Sequence, residues 1–297
     1  LLEAGHRVTL VDKSQRLGGV PDGIIPEERY GDAQAEVDAI LKPARDAGRL
    51  ELQLGACLGR DVSLADLRRT HDAVFLGAGL DAGEPLGAAA GVEDALAFLG
   101  TVKRGTRTTV PDRVAVLGAG NTAMDAAATA LRLGARDVYL VYRRSFREMP
   151  AWAKERDALI AAGAHVLVLV QPLGYVTDPD GRLTGLRLIR TELGAPDAAG
   201  RRQPVPVPGT EFVLDVGLVV EAVGQGLSAD LRQALADLEF TPRGRLAVHP
   251  DTGATSLPGV YAGGDIVNGG TTAVQAIADG MRAAAAIDQF LSGNARG

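Results

Sequence analysis

Residues 113–144 contain the sequence feature that most constrains the fold. Residues 113–117, RVAVL, have the apolar character of a buried strand, residues 118–123 read GAGNTA, and residues 124–133 carry apolar side chains at helical spacing. A second apolar stretch follows at 137–142. A strand, a tight glycine turn, a helix and a strand in this order predict a βαβ unit, and therefore an α/β fold with parallel strands.

The glycine turn of this unit indicates a phosphate-binding site. Gly118 permits the sharp turn, Gly120 lets the backbone approach a pyrophosphate, and the small Ala123 allows close packing of helix and strand. Asn121 and Thr122 open the helix, whose N–H groups and positive dipole end favour phosphate. The alternative is a βαβ packing turn that binds no nucleotide.

The end of the second strand decides which nucleotide fits. Sites for NAD usually place an Asp or Glu there to bind the ribose 2′-hydroxyl, whereas this chain reads Tyr142-Arg143-Arg144. Two guanidinium groups suit a 2′-phosphate, which they bind through charge-assisted hydrogen bonds. We therefore predict NADPH rather than NADH as the ligand. The alternative is a solvated basic pair at a surface turn.

Residues 1–13 repeat the last part of the central unit. Gly5 corresponds to Gly134, and the VTLVD that follows Gly5 corresponds to VYLVY of the central copy. The central glycine turn begins 16 residues before Gly134. We therefore expect the equivalent turn of the first copy to lie upstream of Leu1, and the chain to be N-terminally incomplete.

The two copies differ in the residue that ends the second strand. The first copy has Asp12 there, an acceptor that suits an adenosine ribose with free hydroxyl groups, as in FAD. In residues 17–21, which include Gly19 and Val20, we expect a glycine-rich turn whose backbone approaches the flavin or its phosphates, the alternative being a loop without a ligand. One site for FAD and one for NADPH indicate a hydride-transfer flavoprotein. The alternative for Asp12 is a turn-forming residue without a ligand.

A third informative segment lies near the C-terminal end. The stretch GVYAGGD at 259–265 reads as a strand whose end carries Asp265, and residues 271–273 open a long helix. The Asp265 carboxylate suits a ribityl or ribose hydroxyl, and the helix start directs N–H groups at the flavin edge where negative charge collects on reduction. The alternative is capping alone, by Asp265 of a turn and by Thr271 or Thr272 of the helix.

Composition excludes several other classes of protein. The formal net charge of -6 disfavours a nucleic-acid partner, and no apolar run is long enough to span a membrane. Cys57 is the only cysteine, so the chain itself forms no disulfide, Cys-x-x-Cys pair or iron–sulfur cluster. The histidines have no metal-binding spacing. A length of 297 residues favours two domains, and we expect Arg201 and Arg202, in a predicted antiparallel insertion, to be solvated.

Three ordered motifs together resemble one family. They are GAGNTAMD at 118–125, VYRRSFREMPAW at 141–152 and, within 259–280, GVYAGGD with TTAVQAIADG. The chain resembles the small (beta) subunit of NADPH-dependent glutamate synthase and its relatives, which include the N-terminal flavoprotein half of dihydropyrimidine dehydrogenase and a selenate reductase-type subunit. The resemblance covers nearly all of the chain and does not choose among these members.

The resemblance implies a glutathione-reductase-like α/β fold with two Rossmann-like dinucleotide-binding domains. The NADPH domain, expected at 111–243, is inserted into a discontinuous and N-terminally truncated FAD domain, expected at 1–110 and 244–297. Relatives of this kind begin with a cysteine-rich domain that holds iron–sulfur clusters. We expect such clusters only on a missing N-terminal domain or on a partner. The sequence of residues 19–26, GVPDGIIP, favours the less characterised relatives over true glutamate synthases.

Carried over position by position, the resemblance implies two sets of cofactor contacts. The FAD contacts are Asp12, Gly19, Val20, Leu58, Gly264, Asp265, Thr271, Thr272 and Ala273. The NADPH contacts, which include the glycine turn, are Gly118, Gly120, Asn121, Thr122, Ala123, Arg143, Arg144, Ala222, Val223 and Gly224. Hydride transfer depends on alignment more than on acid–base groups, so we nominate no general base and no metal ligand.

The implied function is electron input. NADPH reduces FAD, and the electrons pass to an iron–sulfur carrier on an electron-accepting subunit or a ferredoxin-like protein, in the cytoplasm. Two alternatives are a stand-alone NADPH–ferredoxin or quinone reductase and a non-catalytic nucleotide-binding remnant, which the absence of the first FAD glycine loop suggests.

Overall fold

The computed structural model describes residues 1–82, 85–196 and 200–294. By their contacts these residues form two compact units. The first unit contains 1–22, 32–82 and 225–294, and the second contains 23–31, 85–196 and 200–224. The second unit therefore interrupts the first along the sequence, as expected for one nucleotide-binding domain inserted into another.

The described residues contain the following strands and helices. The strands are β1 (Val8–Asp12), β2 (Leu50–Leu54), β3 (Val74–Leu76), β4 (Asp81–Ala82), β5 (Val92–Asp94), β6 (Arg113–Leu117), β7 (Asp137–Tyr142), β8 (His165–Val168), β9 (Val170–Thr177), β10 (Leu183–Pro196), β11 (Arg202–Pro206), β12 (Phe212–Asp215), β13 (Leu218–Glu221), β14 (Gln225–Gly226) and β15 (Val260–Ala262). The helices are α1 (Gly19–Gly23), α2 (Ala33–Asp46), α3 (Leu64–Thr70), α4 (Ala95–Lys103), α5 (Asn121–Arg132), α6 (Ala153–Ala161), α7 (Ala229–Ala234), α8 (Asp265–Asn268) and α9 (Ala273–Asn294), with a 3₁₀ turn at Phe146–Glu148.

The second unit is built on a parallel sheet with the strand order β5-β13-β6-β7-β8. β6, α5 and β7 form the predicted βαβ unit, so the prediction of parallel α/β structure is confirmed. Successive residues of β6 face opposite sides of the sheet: Val114 and Val116 pack in one hydrophobic cluster and Ala115 and Leu117 in another. Because both faces are covered, the strand is apolar from 114 onward.

Helix α5 packs closely on the sheet because the residues of its buried face are small. Ala123, Ala126, Ala127 and Ala130 are all fully buried. The helix ends just before Gly134, whose φ of 94° favours glycine and lets the chain turn into β7. This close packing brings the N-terminus of α5 to the carboxyl end of β6.

An antiparallel sheet covers the opposite face of the parallel sheet. Its strands run in the order β11-β10-β12, and β9 also pairs with β10. Leu186 and Leu188 of β10 are fully buried and pack in the same cluster as Ala115 and Leu117 of β6. The predicted antiparallel insertion is therefore part of the core of the second unit.

The first unit contains three short pairs of strands. β1 pairs with β2 and β15 pairs with β3, both in parallel, and β4 pairs with β14 in antiparallel orientation. Its larger hydrophobic cluster draws residues from α3, α7 and β15, including Leu64, Leu231 and Val260. A smaller cluster, with Tyr261 and Ile287, packs α9 against β15.

The changes of unit along the chain fall elsewhere than the predicted domain boundaries near 110 and 243. Residues 85–110 belong to the second unit because β5 pairs with β13 and α4 packs in the same cluster as α5. Residues 225–243 belong to the first unit because β14 pairs with β4 and α7 supplies core leucines. As ligand-binding domains, 1–110, 111–243 and 244–297 stay a prediction.

Two further observations concern the residues that the structure describes. Among them, no helix combines the length and the apolar character that crossing a membrane requires. Within the same ranges, no group of three or more His, Cys, Asp and Glu side chains is arranged to hold a metal ion.

Candidate functional site

The glycine turn after β6 is closed by contacts that only glycine allows. Gly118 has a φ of 128°, and a Cβ added there would overlap the carbonyl oxygen of Ala222 and lie 3.0 Å from its carbonyl carbon. The Gly118 N–H donates to the Val141 carbonyl at 3.0 Å, and the Ala222 N–H donates to the Leu117 carbonyl at 2.8 Å. The turn is thus held between the carboxyl ends of β7 and β13, at the edge of the sheet where ligands bind in this class of fold.

The N-terminus of α5 has backbone donors without a side-chain cap. Gly120 precedes the helix in an extended conformation and gives it no cap, and no acidic residue lies in the first turn. A Cβ at Gly120 would meet only the Pro150 Cγ, at 4.0 Å. Uncapped N–H groups, the helix dipole and an open backbone fit an anionic pyrophosphate.

Asn121 adds a polar atom that the protein itself leaves unpaired. Its Oδ1 is buried and has no hydrogen-bond partner among the described residues. Buried acceptors in folded proteins are almost always paired, so an unpaired one at the start of this helix fits a ligand that donates a hydrogen bond. Thr122, which follows, is partly buried, and Ala123 is fully buried against the sheet.

The arginine pair follows β7 without an acidic partner. Arg143 is exposed, and its guanidinium forms no hydrogen bond or ion pair within the described ranges. Arg144 is half-buried, and its Nε–H donates to the carbonyl of Arg202 at 2.7 Å. Two guanidinium groups that form no ion pair with any carboxylate in the described part of the chain fit a 2′-phosphate better than a ribose 2′-hydroxyl.

Residues 222–224 follow β13 at the same edge of the sheet. Glu221 is in register with Leu117, so the carbonyl of Ala222 reaches the glycine turn. Val223 is 49% exposed, and Gly224 is exposed with a φ of 133°. The structure therefore brings the glycine turn, the end of β7 and residues 222–224 together at one edge of the sheet.

In the first unit, Asp12 ends β1 and forms a local turn. Its Oδ1 accepts the Ser14 N–H at 2.7 Å, and its backbone carbonyl accepts the Ala56 N–H at 3.0 Å. The turn-forming alternative for Asp12 is therefore present in the structure. One oxygen of a carboxylate in such a turn leaves the other for a ribose hydroxyl.

Three further predicted FAD contacts, Gly19, Val20 and Leu58, lie in the first unit: the first two open helix α1, and Leu58 lies in the segment after β2. Gly19, with a φ of 58°, opens the short helix α1, and a Cβ there would meet nothing within 4 Å. Val20 beside it is 40% exposed. Leu58 follows β2 and packs at the edge of the larger hydrophobic cluster of this unit. The backbone at Gly19 is thus open, whereas Leu58 is tied to the core.

The segment after β15 forms a second glycine turn before a helix. Gly264 has a φ of 75°, and Asp265 opens the short helix α8 and accepts the Thr271 N–H at 3.3 Å. Thr272 accepts the Gln275 N–H at 3.2 Å and so caps α9, which begins at Ala273. The capping roles anticipated for Asp265 and Thr272 are therefore observed. They do not exclude a ligand, because a cap and a ligand contact coincide at a helix start.

Asp279 is a residue of this turn that the sequence reasoning missed. Its carboxylate accepts the Gly264 N–H at 3.0 Å, the Asn268 side chain at 3.2 Å and the Gln275 side chain at 2.9 Å, and it pairs with Arg282. Burial raises the pKa of Asp279, but these hydrogen bonds and the Arg282 charge outweigh burial and hold the pKa below its usual value. The spacing of Gln275, Asp279 and Arg282 on one helix face was the available signal.

Glu221 is a second missed residue, in the second unit. It is 5% exposed at the end of β13 and accepts the Leu86 N–H at 3.0 Å and the Tyr175 hydroxyl. Burial first, and then the Glu221 carboxylate, raise the pKa of Tyr175. A buried acid in an apolar strand was visible in the sequence, but its partners lie far away along the chain.

Comparison with known proteins places these features in a family. Residues 1–280 match the family described as pyridine nucleotide-disulphide oxidoreductase. The chain is similar to the NADP(+)-dependent formate dehydrogenase subunit beta of Moorella thermoacetica, with 43% identity over 97% of this chain and 41% of that protein. It is also similar to the glutamate synthase [NADPH] small chain of Escherichia coli strain K12, with 34% identity over 98% of this chain and 65% of that protein. The chain thus spans less than two thirds of these relatives, and the predicted resemblance is confirmed.

Similarity to solved structures supports the fold. FprA from Mycobacterium tuberculosis, solved in complex with NADPH, matches with a TM-score of 0.70 at 18% identity, over 98% of this chain and 78% of that chain. The predicted α/β fold with two dinucleotide-binding domains is therefore confirmed.

Proposed function

The chain belongs to the pyridine nucleotide-disulphide oxidoreductase family, and from this premise we propose that it is an NADPH-dependent flavin oxidoreductase that passes electrons from NADPH through FAD to an iron–sulfur carrier. The observation that carries the proposal is the second-unit site. There, an uncapped helix start and a glycine turn share one sheet edge with Arg143 and Arg144, which pair with no carboxylate of the described residues.

We assign NADPH to the second unit. The N–H groups at the start of α5 would bind the pyrophosphate, and the unpaired Oδ1 of Asn121 would accept a hydrogen bond from the ligand. Arg143 and Arg144 would bind the 2′-phosphate, since both lie directly after β7. The proposed contacts are Gly118, Gly120, Asn121, Thr122, Ala123, Arg143, Arg144, Ala222, Val223 and Gly224.

We assign FAD to the first unit. The free carboxylate oxygen of Asp12 would accept a ribose hydroxyl, and the open backbone at Gly19 admits a ligand. The start of α9 would supply backbone N–H groups and a positive dipole end to the flavin. The proposed contacts are Asp12, Gly19, Val20, Leu58, Gly264, Asp265, Thr271, Thr272 and Ala273.

These assignments give the nucleotides and the protein different roles in the reaction. Bound FAD would supply the chemistry that turns a hydride from NADPH into electrons released one at a time. The protein binds and orients the two nucleotides, and the rate depends on that alignment rather than on a general base. Asp279 holds the Gly264 turn in place through its hydrogen bonds, so we infer that it orients the turn rather than touching a ligand.

The names of the relatives support a proposal about the partner. Those named above are a "subunit beta" and a "small chain", names that describe parts of larger assemblies. We infer that this chain also serves an electron-accepting subunit or a ferredoxin-like protein, where any iron–sulfur cluster would reside. We place it in the cytoplasm, where NADPH is available to a flavoprotein of this kind.

The test is to purify the full chain with added FAD, measure the bound flavin, and record its anaerobic reduction by NADPH and by NADH. The proposal predicts a yellow protein whose flavin NADPH bleaches far faster than NADH does. A colourless protein that binds NADPH would instead support a nucleotide-binding remnant. Copurification of an iron–sulfur subunit separates a dedicated partner from a stand-alone ferredoxin or quinone reductase.

A further inference from the structure

The residue after β8 has a backbone conformation that is unusual for its type. Leu169 has a φ of 57°, and it is the one residue other than glycine with a positive φ in the described parts of the chain. Leucine rarely adopts this left-handed conformation, because its Cβ crowds the following carbonyl. Strained residues of this kind persist where the surrounding structure holds them, often near functional sites.

Leu169 uses this conformation to bond to the arginine pair. Its N–H donates to the carbonyl of Arg144 at 3.0 Å, and its own carbonyl accepts the Thr191 N–H at 2.8 Å. Its left-handed turn thus joins the end of β7 to β10.

Thr191 bonds to the other arginine. It is 3% exposed, and its hydroxyl donates to the carbonyl of Arg143 at 2.8 Å. A buried hydroxyl without a partner is costly, so this bond fixes the side chain of Thr191 and the peptide of Arg143 together.

Arg202 orients the side chain of Arg144. The carbonyl of Arg202 accepts the Arg144 Nε–H at 2.7 Å. The guanidinium of Arg202 in turn donates to the carbonyl of Gly194 at 3.2 Å and to that of Leu193. The expectation that Arg202 is merely solvated is therefore wrong, because its side chain ties β11 to β10.

These three contacts converge on the two residues assigned to the 2′-phosphate. The geometry points to a buttress, formed by Leu169, Thr191 and Arg202, that fixes the peptide between Arg143 and Arg144 and the guanidinium group of Arg144. Thr191 and Arg202 are then positioning residues, and they contribute to the selectivity of the site for a 2′-phosphorylated adenosine. This inference rests on the proposed NADPH site. It assigns to the antiparallel sheet a role in choosing between the two nicotinamide dinucleotides.

The buttress would affect the binding of only those ligands that carry a 2′-phosphate. Binding a 2′-phosphate requires two long side chains to be ordered, and a support that orders them beforehand lowers that entropic cost. Loss of the support should therefore weaken the binding of ligands that carry a 2′-phosphate and leave the affinity for ligands without one unchanged. A general loss of structure would weaken both kinds of ligand alike.

The experiment measures dissociation constants by isothermal titration calorimetry on the full chain, with NADP⁺, NAD⁺ and adenosine 2′-monophosphate as ligands. Thr191→Val removes the hydroxyl at nearly constant volume, and Thr191→Ser restores it. Thr129→Val is the matched control, because Thr129 is similarly buried in the same unit and, among the residues that the structure describes, its hydroxyl bonds to Arg132 alone. Arg202→Ala, an exposed substitution, serves if Thr191→Val does not fold.

We expect Thr191→Val to weaken the binding of NADP⁺ and of adenosine 2′-monophosphate by roughly three- to tenfold, the value of one hydrogen bond. Arg202→Ala keeps the backbone carbonyl that accepts the Arg144 Nε–H but removes the side-chain bonds that tie β11 to β10, so it should weaken the binding of the same two ligands by roughly threefold. The affinity for NAD⁺ should stay within about twofold, and Thr191→Ser and Thr129→Val should resemble wild type. Equal weakening of NADP⁺ and NAD⁺, or no change with either variant, would overturn the inference.

The controls separate this inference from the proposed function. If wild type prefers NADP⁺ and Arg143→Ala with Arg144→Ala abolishes the preference, the site assignment stands. Unchanged selectivity in Thr191→Val and Arg202→Ala then refutes the buttress alone. If wild type does not prefer NADP⁺, the nucleotide assignment and the buttress both fail.

Discussion

Replacing both arginines after β7 by alanine tests the nucleotide assignment with little risk to the fold. Arg143 is exposed and its guanidinium forms no hydrogen bond or ion pair within the described ranges, and the Arg144 side chain loses one hydrogen bond, to the Arg202 carbonyl. We therefore expect the free energy of unfolding of the double variant to lie within about 1 kcal/mol of the wild-type value. An effect on catalysis then reports on the ligand rather than on stability.

The magnitude follows from the bonds that the pair offers. A hydrogen bond to a charged group is worth about 1.5 to 3 kcal/mol, and the exposure of Arg143 places it at the lower end of that range. Two such bonds give about 3 kcal/mol, or roughly a 100-fold loss in kcat/KM for NADPH. NADH lacks the phosphate, so its kcat/KM should change by about twofold at most.

The assay is anaerobic stopped-flow reduction of the bound flavin by each nucleotide. Arg187→Ala is the matched control, since Arg187 is an exposed arginine of β10 in the same unit that plays no part in the proposed site. A loss of similar size with NADPH and NADH would refute the reasoning. So would a loss with Arg187→Ala as large as that of the double variant.

Three further predictions concern single positions. Gly118→Ala should lower the free energy of unfolding, measured in urea, by about 3 kcal/mol or more, because the added Cβ would overlap the Ala222 carbonyl. Gly134→Ala is the control: Gly134 has a φ of 94° and nothing within 4 Å of an added Cβ, so the free energy of unfolding should fall by only about 1 kcal/mol. Asp279 has a lowered pKa in the folded state, so its stabilisation is complete above its unfolded pKa of about 4 and is lost as the pH falls below that value. Asp279→Asn should therefore lower the free energy of unfolding at neutral pH and flatten its decline in acid; an unchanged acid profile would contradict the contacts of Asp279. The free energy of unfolding of Leu169→Gly should lie within about 1 kcal/mol of the wild-type value, because relief of the left-handed strain offsets the added conformational entropy of glycine. Leu173→Gly in neighbouring β9 should lower the free energy of unfolding by about 1 kcal/mol. An equal loss at both positions would argue against strain at Leu169.

The central βαβ unit could be predicted because its signals are local. The apolar strand, the Gly118–Gly120 turn and the alanine face of α5 lie within a few tens of residues and leave few other folds open. The Arg143–Arg144 pair was found for the same reason, since its position at the end of β7 follows from the strand itself.

The unit boundaries could not be predicted from such local signals. Residues 85–110 join the second unit because β5 pairs with β13, more than a hundred residues later, and because α4 packs with α5. Helix α7 joins the first unit only because Leu231 and Leu235 pack against distant strands. Pairing across long separations in the sequence leaves no mark on either segment alone.

The supports of the candidate sites were also invisible in the sequence. Leucine has no preference for the left-handed conformation that Leu169 adopts, and nothing near Thr191 indicates that its hydroxyl reaches Arg143. Arg202 was interpreted as solvated because a basic residue in a loop usually is, yet its fork binds two carbonyls. Such roles depend on partners that only the folded chain brings close.

The most direct test of the account is the single-turnover reduction of bound FAD, under anaerobic conditions, by NADPH deuterated at nicotinamide C4 and by NADH. The account predicts that the flavin is bleached, that deuterium slows the bleaching, and that NADH is far slower than NADPH. Bleaching at equal rates by the two nucleotides, or a flavin that neither nucleotide reduces, would contradict it.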